Sequence, residues 1–270
     1  MRCALIGSGS AGNALLVSTG STTVLVDSGY SIRAFEERAQ ALDFDPASLD
    51  AILVTHEHDD HLGGVLPLSR KYGTPVYWTR GTQLACAERH GAAARACEFS
   101  PHAAFRIGDL QVLPVPVPHD AREPAQFVFS HEGARIGLLT DLGSITPHVL
   151  AAYAGCDAMV LEFNHDPDLL AVSAYPATLK RRIASPFGHL SNAQTIDLLQ
   201  RLDTSRLRRL VAAHLSERTN RPEIVAECLA THAAGIAADI ARQDAVVPWF
   251  EVDAPSVPVS GCAPAGADAF

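Results

Sequence analysis

Short apolar runs separated by glycine- and polar-rich turns fill the first third of the chain. Residues 3–6 and 15–17 flank Gly7-Ser8-Gly9-Ser10-Ala11-Gly12-Asn13, and the apolar run 22–26 ends at Asp27. That pattern predicts a strand, a glycine-rich turn and a hairpin. Residues 32–42 have helical periodicity, Asp45-Pro46 breaks it, and the apolar stretch 49–55 runs into a strongly polar loop. Amphipathic helices are expected over 62–72 and 82–90, flanking a strand at 75–78. In 110–118 apolar residues alternate with Pro114, Pro116 and Pro118, and prolines inside a strand mark an edge. Residues 126–131 and 135–140 read as a hairpin turning at Glu132-Gly133, and 157–163 and 207–213 as buried strands. Helices are expected through 179–183 and over 193–202, the latter capped by Ser191 or Asn192. One long helix is read over 222–242 and a last strand over 245–252. No internal repeat is evident, so residues 1–252 are expected to form one domain, and the Pro/Gly/Ala/Ser-rich tail 253–270 to be disordered.

A chain of 270 residues, 47% apolar, can bury one large core. No apolar run approaches the roughly 18 residues of a membrane span, and the apolar start 3–6 is too short for the core of a signal peptide. A cytoplasmic protein without membrane contact is the expectation. Six cysteines without a C-x-x-C pair lie mostly in apolar segments, as buried thiols do. The net charge of −9 argues against a nucleic-acid partner until its distribution is considered. Residues 180–221 hold nine Lys and Arg against three carboxylates, a local +6. Such a segment suits a polyanionic ligand, though solvated helix faces explain the charge equally well.

The polar loop is Thr55-His56-Glu57-His58-Asp59-Asp60-His61, between the apolar run 51–54 and Leu62-Gly63-Gly64. Neutral imidazole and carboxylate are ligands of divalent metals such as zinc, and a strand-end loop can aim alternate side chains at one point or at two adjacent ones. Further candidates also end apolar runs: His119 after 110–118, Asp141 after 135–140, and His214 after 207–213. A carboxylate at Asp141 could bridge two cations with its two oxygens. Asp27 is expected to orient the metal loop without touching metal. His90 and His102 sit in unpatterned polar surroundings and read as surface residues. The glycine-rich loop 7–13 either offers N–H groups to a phosphate or is only a tight turn.

His56-x-His58-x-Asp60-His61 resembles the signature of the metallo-β-lactamase fold superfamily. The resemblance implies an α/β fold, a four-layer αββα sandwich with its metal site at one edge of the two sheets. By that pattern a first metal takes His56, His58 and His119, a second takes Asp60, His61 and His214, and Asp141 bridges them. The two divalent ions, zinc or manganese, would share a hydroxide that acts as nucleophile, with Asp60 accepting its hydrogen bond. Iron-dependent members usually carry Glu at the position of His58, and true β-lactamases carry Cys at that of Asp141, so a hydrolase other than a lactamase is expected. Gly188-His189-Leu190-Ser191-Asn192 followed by His214-Leu215-Ser216 resembles the order in ribonuclease Z and its relatives. This implies His189 as proton donor and Glu162 as its partner.

Seven separated motifs, from Ser8-Gly9-Ser10-Ala11-Gly12-Asn13 to His214-Leu215-Ser216-Glu217, are similar to the WalJ/YycJ branch of bacterial exonucleases. The resemblance implies 5′-to-3′ cleavage of double-stranded DNA. Ser8, Asn13, Lys180, Arg182 and Asn192 are read as substrate contacts, His165 either contacts substrate phosphate or pairs with Asp166 on the surface, and no obligatory protein partner is evident. The chain departs from the branch at Phe163, where Ser is usual, and at Thr219-Asn220, where Asn-Asn is usual. A small-molecule thioester or lactone hydrolase of the glyoxalase II kind is the alternative.

Overall fold

A computed structural model describes residues 1–254; the expected disordered tail falls almost wholly outside the described residues. In chain order the strands are β1 (Arg2–Gly7), β2 (Ala14–Ser18), β3 (Thr23–Val26), β4 (Ala51–Leu53), β5 (Val76–Trp78), β6 (Ala96–Glu98), β7 (Phe105–Ile107), β8 (Leu110–Pro116), β9 (Ala125–His131), β10 (Ala134–Leu139), β11 (Ala158–Glu162), β12 (Arg209–Ala213), β13 (Ala237–Ile240) and β14 (Val247–Glu251). They form two seven-stranded mixed sheets, ordered β14-β1-β2-β3-β4-β5-β6 and β13-β12-β11-β10-β9-β8-β7. Each sheet joins an antiparallel part to a parallel part, β3 to β6 in one and β10 to β13 in the other.

The alternation of side chains across each strand creates three apolar layers. Leu5, Val17, Val26 and Leu53 from the first sheet meet Val112, Phe127, Phe129, Ile136 and Val160 from the second. Phe35, Leu62, Leu66 and Trp78 seal the outer face of the first sheet. Tyr153, Leu198, Leu199 and Leu229 seal that of the second. Phe127 and Phe129 are fully buried between the sheets, and truncating such a residue to alanine costs about 3–5 kcal/mol. On the opposite face of β10, Gly137 leaves the space that the Tyr153 ring fills. The result is the αββα sandwich that the resemblance implied.

The elements differ from expectation in several places, and a helix at Pro147–Tyr153 was not expected. The helix expected over 222–242 stops at His232; Gly235, at φ +93°, turns the chain, and β13 then pairs in parallel with β12. The short strands β6 and β7 were not expected. Among the prolines of β8, Pro114 and Pro116 lie beyond the stretch paired with β7, so the missing N–H groups face an unpaired side while β9 pairs on the other. No helix among the described residues is long and apolar enough to cross a membrane.

Candidate metal centre

The parallel strands end on one edge of the sandwich, and the loops leaving those ends hold the polar cluster. β3 delivers Asp27, β4 the loop 55–61, β10 Asp141, β11 Glu162 and β12 His214. Asp27, Asp141 and His214 have φ of 59°, 53° and 56°, a left-handed conformation uncommon for residues with a Cβ. Three such residues at adjoining strand ends turn the chain sharply so that their side chains converge. The His56 loop is clamped by its neighbours: the Asn13 N–H donates to the Asp60 carbonyl at 2.8 Å and the Ser28 N–H to that of His61 at 2.7 Å. Gly29 and Gly64 permit this approach, since a Cβ on either would collide with backbone.

Each imidazole but one has a ring nitrogen occupied by an acceptor, which fixes its tautomer and frees the other nitrogen. His61 Nδ1 lies 2.8 Å from Asp27 Oδ2, and His119 Nδ1 lies 3.1 Å from the Gly188 carbonyl. The Thr55 hydroxyl donates to Asp27 at 2.7 Å and can therefore accept from His56 Nδ1 at 2.9 Å. His214 Nδ1 donates to Glu162 Oε1 at 3.0 Å. The remaining nitrogens form two groups. His56 Nε2 and His119 Nε2 stand 3.0 and 3.3 Å from His58 Nδ1. His61 Nε2 and His214 Nε2 stand 3.3 and 3.4 Å from Asp60 Oδ2. Asp141 reaches toward both, with Oδ2 at 3.2 Å from His61 Nε2 and Oδ1 at 3.9 Å from His119 Nε2.

These separations suit donors around a common cation, since zinc takes nitrogen at about 2.0–2.1 Å. The donors of each group lie within 4.8 Å of one another. Asp141 Oδ2 is buried without a hydrogen-bond partner, an expensive arrangement unless a cation completes it. The residues therefore fit divalent metal. Asp141, Glu162, His189 and His214 also converge, but Glu162 is saturated. It accepts the backbone N–H groups of Asp141, Leu142 and Leu190 as well as the Nδ1–H of His189 and His214.

Burial and neighbouring charges sort the titrating groups. Burial, reinforced by the surrounding imidazoles, holds His56 well below the usual histidine range. Burial also lowers His119, outweighing Asp141. For His61 burial is overcome by Asp141, Asp60 and Asp27, which drive it well up. His214 is likewise pushed up against burial, to about 10, by Asp141 and by its bonds to Asp60 and Glu162. Despite their own burial, Asp60 and Glu162 are held far below the carboxylate range by the adjacent imidazoles.

The residues matched by the family model for the β-lactamase superfamily domain run from 22 to 215, which takes in every donor just described. The chain belongs to this superfamily. It is 34% identical over 222 residues to exodeoxyribonuclease YycJ of Bacillus anthracis, covering 82% of this chain and 84% of that one. It is 32% identical over 225 residues to exodeoxyribonuclease WalJ of Streptococcus pneumoniae, covering 82% and 83%. Among solved structures, the metallo-β-lactamase fold protein YhfI of Bacillus subtilis superposes with a TM-score of 0.70 over 93% of this chain and 99% of its own, at 15% identity. A superfamily member with this donor set is a metal-dependent hydrolase.

A cleft of about 330 Å³ opens beside the donors, lined by His58, Asp60, Asp141, His214, His189, Tyr175 and Arg182 among others. His189 Nδ1 is held by Glu162 at 2.8 Å, leaving Nε2 on the cleft wall. Arg182 is paired with Asp120 at the same cleft. The other expected substrate contacts lie elsewhere or face inward. Ser8 accepts the His214 backbone N–H at 2.9 Å and donates to Asn13, while the Asn13 amide sits 3.3 Å from both Asp60 Oδ2 and His61 Nε2. Both residues thus brace the donors from behind. His165 is buried with Nδ1 unpartnered. The Lys180 ammonium donates to the Ala171 carbonyl, and Asn192 is buried against Asn220, away from the cleft. Sequence reasoning missed the Thr55 hydroxyl and the Gly188 carbonyl. Thr55 borders the histidine motif and carried a local signal; the carbonyl carried none.

Proposed function

We propose that this chain is a two-metal phosphodiesterase of nucleic acid, in its most specific form a cytoplasmic 5′-to-3′ exonuclease on double-stranded DNA, with zinc or manganese as its cations and residues 1–252 as one domain. The observation that carries the reading is the Glu162–His189 pair on the wall of a cleft beside both donor groups. When bound, two divalent cations would acidify water and neutralise charge on a phosphoryl oxygen. His56, His58 and His119 would hold one cation and Asp60, His61 and His214 the other, with Asp141 between them. Asp60, held ionised, would serve as a ligand and accept a hydrogen bond from the attacking water. His189 delivers a proton from Nε2 to the departing sugar oxygen, and Glu162 keeps the ring oriented through Nδ1. Arg182 faces the phosphate chain across the cleft. The exodeoxyribonuclease names of the two curated relatives support a nucleic-acid substrate. A thioester hydrolase would give His189 no task, because a thiolate departs without an acid.

The test is cleavage of 5′- and 3′-end-labelled duplexes by the purified, metal-loaded protein. Chelator-sensitive release of mononucleotides from the 5′ end is expected. His189→Ala should slow that cleavage by about 10²–10⁴-fold while leaving metal content intact. Thioester turnover that survives His189→Ala, with no cleavage of DNA, would move the chain to the glyoxalase-like alternative.

A further inference from the structure

Of the exposed large apolar side chains among the described residues, Leu84, Val172 and Phe187, two belong to one segment beside the cleft. That segment, residues 167–187, arches from the strand end carrying Glu162 to the turn carrying His189. Its first helix, Pro167–Val172, reaches the core through Leu170 alone, and its second, Ala177–Ile183, buries no residue. From 169 to 187 it has three cations, Lys180, Arg181 and Arg182, and no carboxylate, in a chain of net charge −9.

An unburied helix is ordinarily marginal, yet the end of this arch is tightly fixed. The Gly188 N–H donates to Ser185 at 2.9 Å, the His189 N–H to Ile183 at 2.9 Å, and the Phe187 N–H to the Ser185 hydroxyl at 3.3 Å. The Phe187 backbone also presses on Gly143, in the loop that presents Asp141, where no Cβ would fit. Phe187, 57% exposed, therefore stands on a tightly hydrogen-bonded backbone two residues from His189. Tyr175, from the same arch, lines the cleft, and the Arg218 guanidinium lies 5.7 Å above its ring.

Stacking faces beside cations are the features that hold single-stranded nucleic acid, because every base has a π-face and every link a phosphate. In an intact duplex that face is already covered by its neighbours. We infer that residues 172–187 form a subsite for an unpaired strand, with Phe187 stacking on a nucleobase next to the scissile phosphate. The inference rests on the phosphodiesterase reading and deepens it: the centre acts on strand ends that are already unpaired or that fray. A blunt end is then a poorer substrate than the same end with an overhang.

The experiment compares the wild type, Phe187→Ala and Phe187→Trp, all metal-loaded. The probes are a DNA duplex with an unpaired 5′ overhang, its blunt counterpart, and methyl p-nitrophenyl phosphate, which has no base and controls for folding. Loss of one stacked base should raise KM on the overhang, relative to that on the base-free ester, by roughly 5- to 150-fold. Tryptophan should restore it, and the preference for the overhang should shrink in the alanine variant alone. If the wild type cleaves DNA but the alanine variant keeps the wild-type KM ratio within twofold, the subsite is wrong and the phosphodiesterase reading stands. If no variant, wild type included, cleaves DNA, both fall.

Discussion

The two donor groups lie side by side yet carry opposite electrostatics. The first, His56, His58 and His119, is all imidazole, and burial keeps His56 and His119 unprotonated. The second, Asp60, His61 and His214, sits among carboxylates that hold protons on His61 and His214 despite equal burial. Without metal, His56 and His119 present bare lone pairs, while in the second group protons on His61 and His214 stand among the carboxylates. Charge placement, more than ligand count, thus distinguishes the two sites, and the carboxylates that tie protons to the second should draw a divalent ion more strongly once those protons leave.

The most severe way to break this contrast is Asp141→Ala, which removes the side chain facing both groups. Metal content measured by mass spectrometry should fall at both sites, and turnover should drop by well over the ~10–100-fold that a lost supporting contact costs. A variant retaining two tightly held metals would overturn the bridging role. Next comes Glu162→Gln, which neutralises the acceptor shared by His189 and His214. Turnover should fall by about 10²-fold or more, and affinity should weaken at the second group while the first is unaffected. Equal weakening at both sites would argue against the assignment of Glu162.

A milder change is Asp27→Asn, which loosens His61 from behind. Affinity of the second metal should decline by about 10–100-fold, readable by competition with a chromophoric chelator. The smallest effect sharpens the comparison through pH. His214 keeps its proton up to about 10 without metal, so an entering cation must displace it. Below that value affinity at the second group should rise with pH by about tenfold per unit for each proton displaced, whereas at the first group His56 and His119 release no proton, so the slope there should be shallower. Titrations in buffers of different ionisation enthalpy would count the released protons, and a second site indifferent to pH would refute the picture.

What could be read from the chain beforehand follows the range of the interactions. The His56 loop was legible because its donors are contiguous and leave a buried strand, and His119, Asp141 and His214 because each ends an apolar run. The four layers followed from the resemblance, while periodicity alone gave mainly the elements. The helix end at His232 was missed because its alanine-rich continuation keeps helical character until Gly235. Ser8, Asn13 and Asn192 were expected at the substrate. Hydrogen bonds across 206, 47 and 28 residues instead tie them to His214, Asp60 and Asn220, and no local pattern reveals such partners.

The arch over the cleft is joined to the sandwich differently from everything beneath it. Each donor hangs from a strand whose neighbours lock its register, whereas the arch is inserted between β11 and the helix Asn192–Arg201 and commits almost none of its side chains to the interior. Drift in its exposed side chains can therefore reshape the wall of the cleft without moving the donors that the strands hold.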